Sequence, residues 1–436
     1  MEPVKIGLLG LGTVGGGTVS VLTRNAEEIA RRAGRGIVIS HAAAKEYNRA
    51  LKGLNQIGRI TDDPYAVVND PDVEIVVELI GGYAPALELV LKAIENDKHV
   101  VTANKALIAT HGNEIFAAAQ KKGVTVAFEA AVAGGIPIIK AMREGLAANQ
   151  IEWVAGIING TSNFILTEMK DKNRDFEEVL REAQARGYAE ANPAFDIEGI
   201  DAAHKLTILA SIAFGIPLQF DKVYKEGITS IERQDVSYAA ELGYKIKLLG
   251  IARKSDSGIE LRVHPTLISE VRLIANVDGV MNAVLVKGDA VGPTLYYGAG
   301  AGAEPTASAV IADIVDVVRA LTTDPENRVP HLAFQPKAMA NIAIKPMEEI
   351  ETGYYLRIMA VDKPGVLSDV TTILGKQGIS IEAVIQKEPD EDATLVPVIL
   401  LTQKVVEKKM NEAIRKIEAL DTVGAKVRRI RVETLA

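Results

Sequence analysis

The stretch Val4-Lys5-Ile6-Gly7-Leu8-Leu9-Gly10-Leu11-Gly12-Thr13-Val14-Gly15 decides the reading of the first third of the chain. An apolar run, Val4 to Leu9, reads as a strand. It leads at once into G-x-G-x-x-G and a helical pattern from Val14 to about Ala33. In such a turn the first glycine bends the chain, the second lets backbone approach a pyrophosphate, and the third lets helix pack on strand. The helix N-terminus then offers unpaired N–H groups and the positive end of its dipole to phosphates. Gly10, Leu11, Gly12, Thr13, Val14 and Gly15 are therefore candidate dinucleotide-binding residues.

Further along, short apolar runs alternate with helical patterns. Ile37 to Ala43, Val73 to Ile80, His99 to Thr102 and Val124 to Glu129 read as strands; Ala84 to about Glu95 and Asn113 to Lys122 read as helices. This rhythm builds a Rossmann-type α/β domain, a parallel sheet with helices on both faces and its ligand crevice at the C-terminal strand ends. The domain is expected to span residues 1–137. An NAD-preferring site usually carries an acid at the end of the second strand, on the ribose 2′-OH. Here that strand ends in Ala42-Ala43-Ala44-Lys45, and Lys45 or Arg49 is placed to face a 2′-phosphate, so NADP is favoured over NAD, with Glu46 pulling the other way.

The texture changes near Ile138. Residues 138–304 hold helical patterns at Asp175 to Arg186, Asp201 to Phe214 and Asp235 to Glu241, with strands at Lys245 to Ala252 and Ile259 to Pro265. The glycine-rich Tyr297 to Glu304 closes this mixed α+β part. One helix, Thr306 to Leu321, dominates residues 305–330, and Pro- and Asn-rich residues 331–350 read as a linker. The tail, 351–436, reads strand–helix–strand–strand–helix–strand, a ferredoxin-like unit of its own.

Composition narrows the function classes. The chain has 436 residues, 48% hydrophobic and 24% charged, with a net charge of −8, which suits a soluble protein of two or three domains. An acidic chain lacks the electrostatic footprint that phosphate backbones demand, so no nucleic-acid partner is expected. The absence of cysteine excludes disulfides, thiolate metal sites and a cysteine nucleophile. No basic-then-apolar leader and no membrane-length apolar run is present, so no membrane partner is expected and a cytoplasmic location is.

Several clusters carry chemistry. Thr102-Ala103-Asn104-Lys105 follows a strand at the functional edge of the sheet, so Lys105 is either a cleft-facing cation or a solvated helix-start lysine. Glu190, Asp196, Asp201 and Lys205 form the densest group. Asp201 and Lys205 stand four apart on one helix face, which fits a surface ion pair. On a largely apolar helix it fits equally a lysine whose pKa is lowered toward proton-transfer duty. Glu129 to Pro137 is an acid followed by a loop of small residues, either ordinary loop or a set of oxygens for a hard monovalent cation. None of the eleven tyrosines has a lysine four residues later, and no H-E-x-x-H occurs.

TANKA at Thr102 to Ala106, NGTSNFIL at Asn159 to Leu166, GYAEANPAFDIEGIDAAHK at Gly187 to Lys205 and GAGAGAEPTASAV at Gly298 to Val310 together resemble homoserine dehydrogenase. The tail, with Asp362-Lys363-Pro364-Gly365-Val366-Leu367, resembles an ACT domain. The resemblance implies reversible NAD(P)-dependent reduction of L-aspartate 4-semialdehyde to L-homoserine, on the route to threonine, methionine and isoleucine. It implies Lys205 as the acid/base, Glu190 and Asp201 as substrate carboxylates and Asp196 as their support. Lys105 would stabilise charge on the aldehyde oxygen, and Gly187 and Gly302 would approach the cofactor. A structural sodium ion would be held by Glu129, Val132, Gly134 and Ile136. Residues 138–304 would bind substrate and mediate dimerisation, with the 305–330 helix returning to the first domain. The ACT-like tail implies feedback by threonine, with Gly365 near the effector, and a homo-oligomer, dimer or tetramer. Another ACT-bearing amino-acid-pathway dehydrogenase and a non-catalytic dinucleotide sensor stand as alternatives.

Overall fold

A computed structural model describes residues 2–48, 52–387 and 394–435. The N-terminal domain runs β1 (Val4–Leu9), α1 (Thr13–Arg24), α2 (Ala26–Ala33), β2 (Ile37–Ala43), β3 (Arg59–Thr61), α3 (Pro64–Val68), β4 (Ile75–Glu78), α4 (Ala86–Glu95), β5 (His99–Thr102), α5 (Lys105–Lys122) and β6 (Val126–Ala127). Its sheet is wholly parallel, in the order β3-β2-β1-β4-β5-β6. The strand order reverses beside β1, which puts the glycine turn at the crevice where such sheets bind dinucleotides. The expected helix from Val14 to Ala33 is two helices, because the chain breaks at Asn25. The expected strand Val73 to Ile80 shortens to β4, and the helix expected from Asn113 begins at Lys105, capped by the Asn104 side chain.

The middle of the chain supplies α6 (Ile138–Lys140), β7 (Ile151–Ile157), α7 (Gly160–Lys172), α8 (Phe176–Ala185), α9 (Ala194–Ile197), α10 (Ile200–Phe214), β8 (Tyr224–Lys225), α11 (Arg233–Glu241), β9 (Tyr244–Ser255), β10 (Gly258–Ser269), β11 (Met281–Gly288), β12 (Gly292–Ala299) and α12 (Ala303–Ala320). Left-handed glycines at 199 and 215 bound α10, whose every residue from Asp201 to Phe214 is buried. Strands β7, β11 and β12 are not among the expected strands; β12 is half-buried along most of its length, so no alternation marks it. The glycine-rich run at 297–304 is the end of β12 and the start of α12, which begins at Ala303 rather than at Thr306.

The tail forms β13 (Glu351–Ala360), α13 (Val366–Lys376), β14 (Ile381–Gln386), β15 (Val396–Val406), α14 (Glu407–Glu418) and β16 (Arg428–Glu433), in the anticipated βαββαβ order. Its sheet does not stand apart. Strand β16 pairs in parallel with β10 through Thr266–Ile268, so one sheet runs β12-β11-β7-β9-β10-β16-β13-β15-β14, with β8 on β10 as well. Residues 331–350, read as a linker, lie pinned along the molecule. The His331 ring accepts from the Val126 N–H, Ile344 bridges Ile259, and the Ala340 N–H donates to the Gly215 carbonyl.

Candidate active site

The glycine turn has the geometry a dinucleotide requires. Gly10 sits at φ +98°, and a Cβ on Gly15 would lie 2.0 Å from the Gly10 carbonyl oxygen, so strand and helix meet as closely as backbone allows. Nothing lies within 4 Å of where a Gly12 side chain would be, and no side chain caps α1 there. The free N–H groups of a twelve-residue helix thus face open space suited to phosphate. Leu11 is buried beneath the turn, whereas Thr13 and Val14 open the helix. Gly302 caps α12, whose first residue packs against Gly17 of α1, so it stands beside this helix end. Lys45 is exposed just past β2, and Arg49 lies outside the described residues.

At the C-terminal edge of β4 and β5, Glu78 is fully buried. It accepts the Thr102 hydroxyl at 2.6 Å and the N–H groups of Ile80 and Gly81, which shapes the loop beyond β4. Asn104 caps α5 and donates to the Gly82 carbonyl. Lys105, the first residue of α5, is therefore aimed out of the first domain. Its Nζ lies 2.7 Å from Asp201 Oδ1 on α10. Lys105 is thus paired across to α10 rather than standing as an unpaired lysine at a helix start.

Lys205 reaches the other oxygen. Its Nζ donates to Asp201 Oδ2 at 2.7 Å and to the Ile158 carbonyl at 2.6 Å. Asn159, the N-cap of α7, donates to Asp201 Oδ2 and to Asp196 Oδ1, each at 2.8 Å. Both Asp201 oxygens are thus engaged before any substrate enters. Burial pushes the Lys205 ammonium below its ordinary pKa against the pull of Asp201, while Asp201 raises that of Lys105. Burial and the neighbouring Asp201 raise Asp196, and the two lysines outweigh burial to hold Asp201 well below the carboxylate range. Glu190 is exposed on the turn after α8, close enough for its charge to act on Lys105. Gly187, at φ +73°, opens that turn and touches none of these groups.

Sequence reasoning gave no role to Asn159 or Glu78. The signals were there: Asn before Gly-Thr-Ser is a helix cap, and Glu78 is a lone acid at the end of a buried apolar strand.

Glu129 is buried, its oxygens accepting the N–H groups of Ile139 and Lys140 at 2.9 and 2.8 Å. Its own N–H donates to Asp313 Oδ2 at 2.7 Å, and burial beside this second acid pushes Asp313 up to about 7. Left-handed residues Ala133 and Gly134 turn the loop through Val132 and Ile136. Among the described residues no three His, Asp or Glu side chains converge as a divalent metal would require.

Residues 137–315 match the family model for homoserine dehydrogenase, residues 10–129 that for the homoserine dehydrogenase NAD binding domain, and residues 354–419 that for the ACT domain. The chain is 67% identical over 436 residues, all of both chains, to a homoserine dehydrogenase of Pseudomonas aeruginosa. It is 58% identical over 435 residues to that of Neisseria gonorrhoeae, again covering all of both. The crystal structure of a homoserine dehydrogenase from Thiobacillus denitrificans superposes with a TM-score of 0.95 at 66% identity, covering 100% of this chain and 99% of the other.

The chain belongs to the homoserine dehydrogenase family. It is accordingly an oxidoreductase that interconverts L-homoserine and L-aspartate 4-semialdehyde with a nicotinamide dinucleotide. The architecture agrees with a homoserine dehydrogenase throughout: a Rossmann sheet, a mixed domain and an ACT tail. Among the described residues no helix is long and apolar enough to cross a membrane.

Proposed function

We propose that Lys205 exchanges the proton with the reacting oxygen and that Lys105 stabilises the charge developing on it. The observation that carries this reading is the single buried carboxylate, Asp201, held between both lysines at 2.7 Å. The bound nicotinamide supplies or accepts the hydride. As an ammonium, Lys205 has three donors; two are fixed on Ile158 and Asp201, which leaves the third for the alkoxide. Once neutral, it keeps both fixed bonds and presents a lone pair in the same direction, ready for the reverse reaction. Fixed donors aimed where charge develops are the main source of such stabilisation.

The resemblance gives the substrate to Glu190 and Asp201, with Asp196 as support. Because the Asp201 oxygens are taken by Lys105, Lys205 and Asn159, Asp201 serves instead to place the lysines, and the substrate ammonium falls to Glu190 and Asp196. Gly10 to Gly15, Gly187 and Gly302 receive the dinucleotide, and exposed Lys45 favours NADP by meeting the 2′-phosphate. The loop 129–136 suits a sodium ion, because one carboxylate and the carbonyls of Val132, Gly134 and Ile136 are hard oxygen donors. Such a cation would offset two adjoining buried acids, Glu129 and Asp313. The ACT tail supports feedback by threonine at the turn holding Gly365, which caps α13 at φ +94°, in a cytoplasmic homo-oligomer serving threonine, methionine and isoleucine synthesis.

The test is initial-rate oxidation of L-homoserine with NADP and NAD side by side, with and without threonine. Faster turnover with NADP and slowing by threonine are expected. Equal use of both cofactors refutes the role of Lys45, and indifference to threonine refutes the feedback.

A further inference from the structure

Strands β8 and β16 lie end to end along one edge of β10, β8 on Arg262–Val263 and β16 on Thr266–Ile268. This places Arg431 of the tail beside the segment that follows β8. Arg431 is completely buried. Its Nη1 donates to Glu226 Oε2 at 2.7 Å, its Nη2 to the Tyr224 hydroxyl at 3.1 Å, and its Nε to Glu407 Oε2 at 2.9 Å. The Tyr224 hydroxyl donates in turn to Glu226 Oε2 at 2.8 Å, and the Glu226 N–H to the Val263 carbonyl.

The segment so fixed is the support of α9. A Cβ on Gly227 would lie 2.2 Å from the Ile197 carbonyl oxygen and 2.6 Å from Glu198 Cα, so the two backbones are in direct contact. The Ile228 N–H donates to that same Ile197 carbonyl at 2.8 Å. Ile197 ends α9, and the residue before it is Asp196, held on its other side by Asn159 and, through its carbonyl, by the Ser162 hydroxyl. Two non-covalent contacts, the Arg431–Glu226 ion pair and the backbone contact of Gly227 and Ile228 with Ile197, therefore join a tail guanidinium to the carboxylate of Asp196, with covalent chain between and after them.

We propose that Arg431 and Glu226 are positioning residues for the reaction: they fix the 226–228 segment, and through it the place of Asp196 against the substrate. The ACT tail thereby completes the catalytic domain even with no effector bound. The proposal rests on the reading of Asp196 as a substrate carboxylate.

Glu226→Gln keeps the shape and loses the charge that orders the Arg431 contact. Displacement of a binding group by a fraction of an ångström is expected to raise the KM for homoserine by about tenfold and leave that for the dinucleotide unchanged. Asp196→Asn is measured beside it, together with the double variant. If Glu226 acts through Asp196, the double variant is no worse for homoserine than Asp196→Asn alone, because the two substitutions fall on one path. Additive losses, equal losses for both substrates, or an unchanged homoserine KM in Glu226→Gln overturn the proposal while Asp196 keeps its role. An unchanged KM in Asp196→Asn overturns that role and the proposal with it.

Discussion

Lys205 Nζ lies 2.7 Å from the Asp201 carboxylate one helical turn before it, on a helix buried from Asp201 to Phe214. The pair resembles an ordinary helix-surface ion pair in spacing and differs from one in setting. On a wet surface it would add a few tenths of a kcal/mol. Here burial disfavours the Lys205 charge, Asp201 restores it in part, and the lysine is left readier to give up its proton than a solvated one.

Lys205→Ala removes the proton acceptor for homoserine oxidation. A fall in kcat of about 10² to 10⁴-fold is expected, with dinucleotide affinity measured by fluorescence titration unchanged. Oxidation needs the neutral amine, so in the native enzyme the rate rises with pH and levels off at a pKa below the ordinary lysine value of 10.5. Reduction of the semialdehyde needs the ammonium and declines over the same range. In Lys205→Ala both profiles lose this inflection; its persistence would assign the proton to another group.

Asp201→Asn keeps the shape and deletes the charge shared by two lysines. Breaking a buried pair from one side leaves uncompensated charge and costs about 3–5 kcal/mol of stability. Because Asp201 is what holds the Lys205 pKa up against burial, the inflection in the oxidation profile should also move to lower pH. Urea denaturation and the pH profile of the folded fraction measure the two effects separately. A stable variant with an unmoved inflection would mean that Asp201 does not set the charge of Lys205.

Much of this was legible in the sequence where the determinants are local. The glycine turn, the strand before it and the helix after it are contiguous, and one turn of helix brings Asp201 to Lys205. The approach of Lys105 to the opposite oxygen of Asp201 was not legible, because it is a tertiary contact between α5 and α10 that neither segment encodes alone. The same holds for β16. Its residues Arg428 to Glu433 announce a strand, but nothing in them announces parallel pairing with β10, and the tail therefore read as a separate unit. Asn159 was hidden differently, since its cap role is local but its two carboxylate partners are not.

Lys45 is exposed at the end of β2, so Lys45→Ala should leave the fold intact. An exposed lysine–phosphate pair contributes about 1 kcal/mol, which predicts a KM for NADP about fivefold higher and a KM for NAD unchanged. The effect should shrink as salt is added, since screening acts on exposed charges. Equal changes for both cofactors would place the 2′-phosphate elsewhere.

His99 gives the sharpest test of how burial shapes acid stability. Its ring is buried, its Nδ1 accepts the Thr125 N–H at 2.9 Å, and burial, aided by the Arg328 charge, lowers its pKa from 6.5 to about 4. The fold therefore favours the neutral ring, and between pH 6.5 and 4 the unfolded chain binds the additional proton. The stabilisation is complete above pH 6.5 and is lost as pH falls through 4. The depression corresponds to about 3 kcal/mol. Net stability will not show this cleanly, because Asp313, raised to about 7, binds its proton preferentially in the folded state and so acts in the opposite sense over the same range. Comparison of the native chain with His99→Gln cancels the Asp313 contribution. The stability advantage of the native chain should be greatest near pH 7 and shrink by about 3 kcal/mol by pH 4. An advantage that is constant with pH would mean that His99 takes up its proton equally in the folded and unfolded chains, so that neither burial nor its bond to Thr125 disfavours the charged ring.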